Sequence, residues 1–450
     1  MADPTILPEG GPAREEIAKI EIGHTAVSPS VARGLTVFFL ICIVLVPLIE
    51  IVIPHWMPEG QVATVWSRLT DIPSQMSAAV QADVARGNTS VWKRALAANR
   101  TALSGLAAFE NALEDESVLG RTLRPPAQLV LSGWLGAGNE RVYVGRAEDN
   151  ARWLFYRPDL EYLTSRGFLE DDVIRRRTAA ASEWTTLPQP DPRPAILEFH
   201  RRLASKGIRL VLVPTPVKPG VHPEKLLASY PPPQGAVQNP SYGELVKWLR
   251  SQGILIFDPG EVLSDVRQSG PQYLAGDTHW RPEAMELVAE GLAAFVRDQA
   301  GLPDVPPPGY RVHEQEVTNT GDTVAMLDLP RGQTRYPAER VWIRRVLQAD
   351  GSAWRASQNA DVLLLGDSFS NIYTLASMGW GESAGFAEQV SYALQRPLDR
   401  IVQNDDGAFA TRLLLQRSGP QRLASTRVVI WQFAARELRS GDWRILELPH

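Results

Sequence analysis

Asp361-Val-Leu-Leu-Leu-Gly-Asp-Ser-Phe-Ser370 is the stretch on which the fold turns. Four apolar residues, Val362 to Leu365, run directly into Gly366-Asp367-Ser368. A short continuous apolar run ending at glycine is the pattern of a strand buried on both faces of a parallel sheet. The glycine permits a tight turn, after which the chain can open a helix. Ser368 then stands at the carboxyl end of a strand and the start of a helix. There an open α/β sheet presents its ligand site, and backbone N–H groups can hold an anion. A plainer reading is open at this point: Asp367 or Ser368 caps the helix and does nothing else.

Working outward, the same alternation recurs. Strand patterns occupy Ile208–Pro214, Ile254–Phe257, Arg400–Gln403 and Arg427–Gln432. Helical patterns occupy Ile196–Ser205, Tyr242–Ser251, Arg281–Gln299 with Pro282 in its first turn, a segment from the serine to about Leu394, and Ala408–Gln416. Strands alternating with helices predict an α/β domain with a mostly parallel sheet flanked by helices. Val142–Tyr156 predicts a hairpin at the domain entrance, and the region between Pro308 and the serine strand predicts irregular chain.

Upstream, Gly34–Ile53 is a 20-residue apolar run with one charge, Glu50. As a helix it would span about 30 Å, enough to cross a bilayer. No small-x-small cleavage site follows it, which favours an uncleaved anchor over a signal peptide. Arg14, Lys19 and Arg33 precede the run and Arg68 is the first basic residue after it. The positive-inside rule then leaves the N-terminus in the cytoplasm and the rest outside. The expected organisation is a disordered tail over 1–33, an anchor over 34–54, a helical stalk or subdomain over 55–138 ending in a Pro/Gly-rich linker from Arg121 to Gly138, and the α/β domain over 139–450.

Composition bounds the chemistry. The chain has 450 residues, 44% hydrophobic and 22% charged, so it is folded rather than disordered. A net charge of −5 gives no basic excess for nucleic acid. The single cysteine, Cys42, excludes an intrachain disulfide and thiolate-built metal sites.

A serine nucleophile needs a base, and the base needs an orienting acid. Of seven histidines, His24 and His55 flank the anchor and His450 ends the chain. His200 falls in a helical pattern, and His222 and His313 fall in loops without an evident partner. His279 differs, in Gly276-Asp-Thr-His-Trp280 just before a helix. Asp277 and His279 are two apart, which in extended chain puts both side chains on one side of the backbone. The bland alternative is that Asp277 or Thr278 caps the helix that follows. A metal at Asp277 and His279 would need a third ligand, and no second histidine lies at metal spacing nearby, so neither metal nor cofactor is predicted. Gly407, in the loop after the strand Arg400–Gln403, is a candidate backbone donor to an oxyanion, and Gln432 a candidate side-chain donor.

Gly366-Asp-Ser368 after an apolar strand resembles the first block of SGNH (GDSL-type) esterases and acetyltransferases. Here the Asp-Thr-His-Trp280 block precedes the serine, an inverted order similar to that of the AlgJ/AlgX-like alginate O-acetyltransferase family. Trp153-Leu-Phe-Tyr156, Val213-Pro-Thr-Pro216 and Gly321-Asp-Thr-Val-Ala-Met-Leu-Asp-Leu329 support it. The resemblance covers about residues 140–435. It implies acetyl transfer to hydroxyls of an exopolysaccharide outside the inner membrane, with a multi-spanning membrane O-acyltransferase partner as acetyl donor. By position, Ser368 is the nucleophile, His279 the general base and acid, and Asp277 the orienting acid. Trp280, beside the base, is a candidate substrate contact. Two other readings remain: a polysaccharide acetyl esterase using the same residues, and a non-catalytic polysaccharide-binding scaffold with Trp134, Trp153, Trp280 and Trp380 as stacking surfaces.

Overall fold

The computed structural model describes residues 28–52, 65–87, 90–146, 152–179, 187–230 and 235–448. The chain divides into two compact units, residues 1–124 and 125–450.

The first unit is helical. Pro29–Val52 forms a helix long and apolar enough to cross a membrane by length and composition. Its first turn begins inside the segment read as tail; residues 1–27 and 53–64 lie outside the described residues. Phe38, Phe39 and Leu40 on it are more than half exposed. Glu50, near its end, is buried and accepts the backbone N–H of Val118 (3.0 Å) and Leu119 (2.9 Å). The segment expected to be a helical stalk or subdomain contains the helices Val65–Thr70, Ile72–Ala85 and Val91–Asp115. Ile72 packs over Gly105, where a β-carbon would meet its Cγ1 at 2.7 Å, so a glycine lets two helices approach closely.

The linker expected over Arg121–Gly138 is instead the helix Val118–Trp134, with Pro125 and Pro126 inside it. Two prolines signalled a break because neither donates a backbone N–H. The amphipathic run on either side continues the helix past them, and the division between the units falls at this pair.

The second unit holds the sheet. Val142–Val144 (β1) and Leu154–Tyr156 (β2) pair antiparallel, as predicted. Arg209–Thr215 (β3), Leu255–Ile256 (β4), Val362–Gly366 (β7), Asp399–Val402 (β8) and Val428–Ala434 (β9) form one five-stranded, all-parallel sheet in the order β4-β3-β9-β7-β8. Alternate residues of its three inner strands feed two cores. Val211, Val213, Val362, Leu364, Val428 and Ile430 face one core, with the helices Pro282–Gln299 and Phe386–Leu394. Leu210, Leu212, Leu363, Leu365, Val429 and Trp431 face the other, with Pro192–Ser205 and Tyr242–Ser251. Burial on both faces is why the strand sequences are continuously apolar rather than alternating.

Two expectations failed here. The region read as irregular contains a long antiparallel hairpin, Arg311–Asn319 (β5) and Glu339–Leu347 (β6). β6 buries only Val341, Ile343 and Val346 of its nine residues, and β5 is mostly exposed, so no apolar run announced it. The helix expected from the serine to Leu394 is broken into Ser368–Asn371 and Phe386–Leu394. Between them Gly379 takes φ +81°, and a β-carbon there would lie 2.3 Å from Asn319 Nδ2 on the hairpin. The hairpin presses on this bend, which only glycine accommodates.

Candidate active site

The serine turn is built by Asp367. Its Oδ1 accepts Phe369 N–H (2.9 Å) and caps the short helix Ser368–Asn371. Its Oδ2 accepts Ala434 N–H (2.6 Å) at the end of β9. Asp367 therefore has the capping role left open in the sequence, and Ser368 is presented by it. Gln432 locks the same turn: its Oε1 accepts Asp367 N–H (3.0 Å) and Ser370 Oγ–H (2.7 Å). Its Nε2 donates to Thr215 Oγ1 (3.0 Å) and Asp367 Oδ1 (2.8 Å). Both amide hydrogens are thus spent inside the fold. The expected oxyanion role for Gln432 is corrected: it ties β3, β9 and the serine turn together. Gly407 lies at this edge with its Cα against the turn, where a β-carbon would be 3.2 Å from Asp367 Cβ.

The second loop, Gly276–Trp280, carries the dyad. His279 Nδ1 lies 2.7 Å from Asp277 Oδ1, which also accepts His279 N–H at 3.1 Å. An ionised carboxylate only accepts, so Nδ1 carries the proton and the neutral ring keeps its lone pair on Nε2. That Nε2 is buried and has no hydrogen-bond partner. The Asp–His link is made; a Ser–His hydrogen bond is not. Such bonds are often open in unliganded enzymes and close around substrate.

Phe369 joins the two loops. Its carbonyl accepts Trp280 Nε1–H (3.1 Å), and its ring meets the His279 ring at 4.8 Å. Ser368 is 7% exposed and His279 3%. Trp280 itself is fully buried, edge-on to Phe369 and against Phe386, and its carbonyl accepts Tyr373 Oη–H (2.7 Å). The expected substrate contact at Trp280 is therefore corrected to packing. Residues 277 and 279 share one side of the backbone, which puts 280 on the other, and both sides of this loop are buried. Of the proposed stacking surfaces, Trp153 and Trp380 are also buried, and only Trp134 is exposed.

Sequence reasoning missed three residues around Asp277. Trp380 Nε1 donates to Asp277 Oδ2 (2.9 Å), as does the backbone N–H of Asp322 (3.0 Å). Asp322 also accepts Thr278 N–H and Oγ–H, both at 2.7 Å, and its Oδ2 lies 3.7 Å from His279 Nδ1. Gly321 makes this possible with φ +93°; a β-carbon there would sit 2.2 Å from Gly276 O. The Gly321-Asp322 pair was visible in the sequence without a role. Lys218, fully buried, donates to the carbonyls of Leu154 (2.6 Å), Ala275 (2.8 Å) and Asp277 (2.9 Å), supporting the loop from below. His222, expected to lack a partner, is likewise structural, with Nδ1 on Glu224 (2.9 Å) and Nε2 accepting Gln272 N–H (2.9 Å).

Electrostatics divide the roles. Burial would raise the Asp277 pKa, but the His279 hydrogen bond and charge, with Trp380 and the Asp322 N–H, bring it to about 2. Burial would lower the His279 pKa, but Asp277 outweighs it and the net shift is upward. Asp322 is raised to about 6, first by burial and then by the charge of Asp277. Asp277, His279 and Asp322 offer ligand atoms within 4.8 Å of one another. A metal there would have to displace the Nδ1–Oδ1 bond and compete with four N–H groups on Asp277, so the donor set suits a proton-transfer dyad better than a cation.

An open parallel α/β sheet with a serine turn at the carboxyl end of an inner strand, faced by a buried Asp–His pair, defines an SGNH hydrolase-like protein. Residues 150–435 match the family model "SGNH hydrolase-like domain, acetyltransferase AlgX", and the chain belongs to that family. Among curated relatives, the probable alginate O-acetylase AlgJ of Pseudomonas aeruginosa is 29% identical over 53% of this chain and 61% of its own length. The Pseudomonas syringae AlgJ is 25% identical over 52% and 59%. The chain thus spans about three fifths of the length of these relatives. Among solved structures, the O-acetyltransferase domain of Pseudomonas putida AlgJ superposes with a TM-score of 0.50 at 21% identity. It covers 67% of this chain and 93% of that one, which supports the fold.

Proposed function

We propose that the chain is a membrane-anchored O-acetyltransferase that moves acetyl groups through a Ser368 ester onto hydroxyls of an exopolysaccharide, alginate or a related polymer. The observation that carries the reading is the buried Asp277–His279 pair, whose unpartnered Nε2 lies in the loop stitched to Phe369, next to Ser368. His279 Nε2 takes the Ser368 proton as Oγ attacks the acetyl carbonyl of the donor. The imidazolium, steadied by ionised Asp277, returns that proton to the leaving group. In the second half a sugar hydroxyl attacks the acetyl-serine. His279 accepts the hydroxyl proton and passes it to Ser368 Oγ, and the acetylated sugar leaves. The Gly407 backbone N–H remains our candidate oxyanion donor, since Gly407 abuts the serine turn.

The names of the relatives, alginate O-acetylases, support a polysaccharide acceptor. The acetyl-serine mechanism needs an external acetyl donor, and the resemblance to the AlgJ/AlgX-like family implies a multi-spanning membrane O-acyltransferase as the partner that supplies it. The apolar helix Pro29–Val52 supports a single-pass bacterial inner-membrane anchor with the N-terminus cytoplasmic and the α/β domain periplasmic. Ser368→Ala in the full chain should abolish polymer acetylation while the protein stays folded and membrane-bound. Acetylation persisting in that variant would sink the proposal.

The same dyad would activate water as readily as a sugar hydroxyl, which keeps an acetyl esterase as the second reading. Acetyl release measured with and without acceptor glycan separates them: a transferase turns over faster with the glycan, an esterase does not.

A further inference from the structure

A cavity of about 390 Å³ in the second unit is lined by Arg166, Arg176, Arg177 and Arg439, with Val173 and Ser440 among the rest. No lining residue is acidic, in a chain whose net charge is −5. Three of the four guanidiniums are held by carboxylates. Arg166 pairs with Asp172 (2.6 Å) and Glu170, Arg176 with Asp172, and Arg439 with Glu161 (2.8 Å). Each such pair fixes a planar fork while leaving other N–H donors available.

Arg177 is different. Its guanidinium donates only to backbone carbonyls, Gly441 O (2.9 Å) and Pro190 O (3.4 Å), and among the described residues no carboxylate lies within ion-pair distance. Burial, then the charge of Arg439, pushes its pKa down, as expected for a cation short of a counter-charge. Asp442 and Glu437 act on it only at longer range.

The cavity is connected to the serine turn. Arg439 and Ser440 belong to the short helix Glu437–Ser440 that follows β9, and Ser440 Oγ donates back to Arg436 O (3.1 Å). Arg436, one turn earlier, is held by fully buried Asp159 (3.0 Å) and lies 5.8 Å over the Phe369 ring. The segment 436–440 thus touches Phe369, the residue after Ser368, at one end and lines the cavity at the other.

We infer that this cavity is an acceptor subsite that grips the carboxylate of a uronate unit in an anionic polysaccharide, with the neighbouring units leading to Ser368. The inference rests on the proposed transfer reaction for its direction and on the arginine cluster for its ligand. Forked guanidiniums match carboxylates in geometry. The arginine stems and Val173 supply the apolar contacts that a sugar ring can cover.

The test is binding, separated from catalysis by using the full chain carrying Ser368→Ala. A defined oligouronate and a neutral glucan of equal length are titrated into it by calorimetry, with and without Arg177→Gln. Arg439→Gln and Arg176→Gln form a second pair, since both side chains are partly exposed and their loss spares the core. The expected result is oligouronate binding that weakens about tenfold in each arginine variant, with little binding of the glucan. Unchanged oligouronate affinity in the exposed pair, or equal binding of the glucan, overturns the inference. So does inorganic phosphate competing as well as an equal concentration of oligouronate, which would mark a small-anion site. Loss of acetylation in Ser368→Ala tests the transfer reaction alone, so the two failures are distinguishable.

Discussion

Asp277→Asn is the sharpest test of how the site works. Asp277 accepts four N–H groups: His279 N and Nδ1 on Oδ1, and Trp380 Nε1 and Asp322 N on Oδ2. Asparagine offers one oxygen. If that oxygen keeps facing His279, its NH2 confronts two donors and both bonds are lost. If it faces Trp380 and Asp322, the NH2 meets Nδ1 and forces the ring proton onto Nε2. Hydrogen bonds to a charged group are worth about 1.5–3 kcal/mol each, so losing two costs on the order of 3–6 kcal/mol of stability. In the first orientation the imidazolium also loses its counter-charge; in the second the base is in the wrong tautomer. The rate should fall by about 10³–10⁴ either way, the scale seen when a buried triad acid loses its charge. The assay is acetyl transfer to an oligouronate across pH, with urea unfolding on the same samples. The rising limb of the parent should lie above the ordinary histidine pKa of about 6.5, because His279 must be neutral to act and its pKa is raised. In the variant burial is opposed only by the charge of Asp322, so the limb should move to lower pH. Transfer within about tenfold of the parent, with an unmoved limb, would refute the reasoning.

Trp380→Phe removes one donor from Asp277 and should slow transfer about tenfold while raising the pH at which the acid limb collapses, read from the pH–rate profile. Gly321→Ala places a β-carbon 2.2 Å from Gly276 O at positive φ, so both thermal stability and transfer should drop, and Gly321→Ser should be no better. The fully buried Leu203→Ala, on the helix Pro192–Ser205 that packs on the other core from His279's neighbours Trp280 and Phe369, should cost about 2–5 kcal/mol by urea unfolding, with turnover per folded molecule retained. Lys218→Met removes the ammonium donor from the carbonyls of Leu154, Ala275 and Asp277, leaving Ala275 O with the Leu154 N–H. It should lower both stability and rate, with the loss visible in hydrogen exchange of the 275–280 loop.

The parallel sheet was legible because its strands are buried on both faces and so read as unbroken apolar runs. Val362–Leu365 is the clearest case, since alternate residues enter two different cores. The β5–β6 hairpin was not legible, because β5 carries Arg311, Glu314 and Glu316 on exposed positions and a half-wet strand has no apolar run. Pairing at the dyad was legible from spacing alone: Asp277 and His279, two apart, do share a side. Spacing did not tell that Trp280 is buried, because both sides of this loop are covered by tertiary packing. Asp322 and Trp380 were out of reach, because they meet Asp277 only through tertiary contact across 45 and 103 positions of chain. Gln432 misled for the opposite reason: its place at the strand end was right, but local sequence does not say which groups an amide will satisfy.

The loop that carries His279 has no strand of its own in the five-stranded sheet. It hangs from Lys218, Asp322, Trp380 and, through Ala275, from Glu339 on the hairpin. Its order of failure on heating is thereby set apart from that of the domain. Loosening of the hairpin or of the bend at Gly379 releases the base while the sheet and its two cores still hold. The temperature at which activity vanishes should lie below that at which the domain melts, and an inactive molecule can still be a folded one.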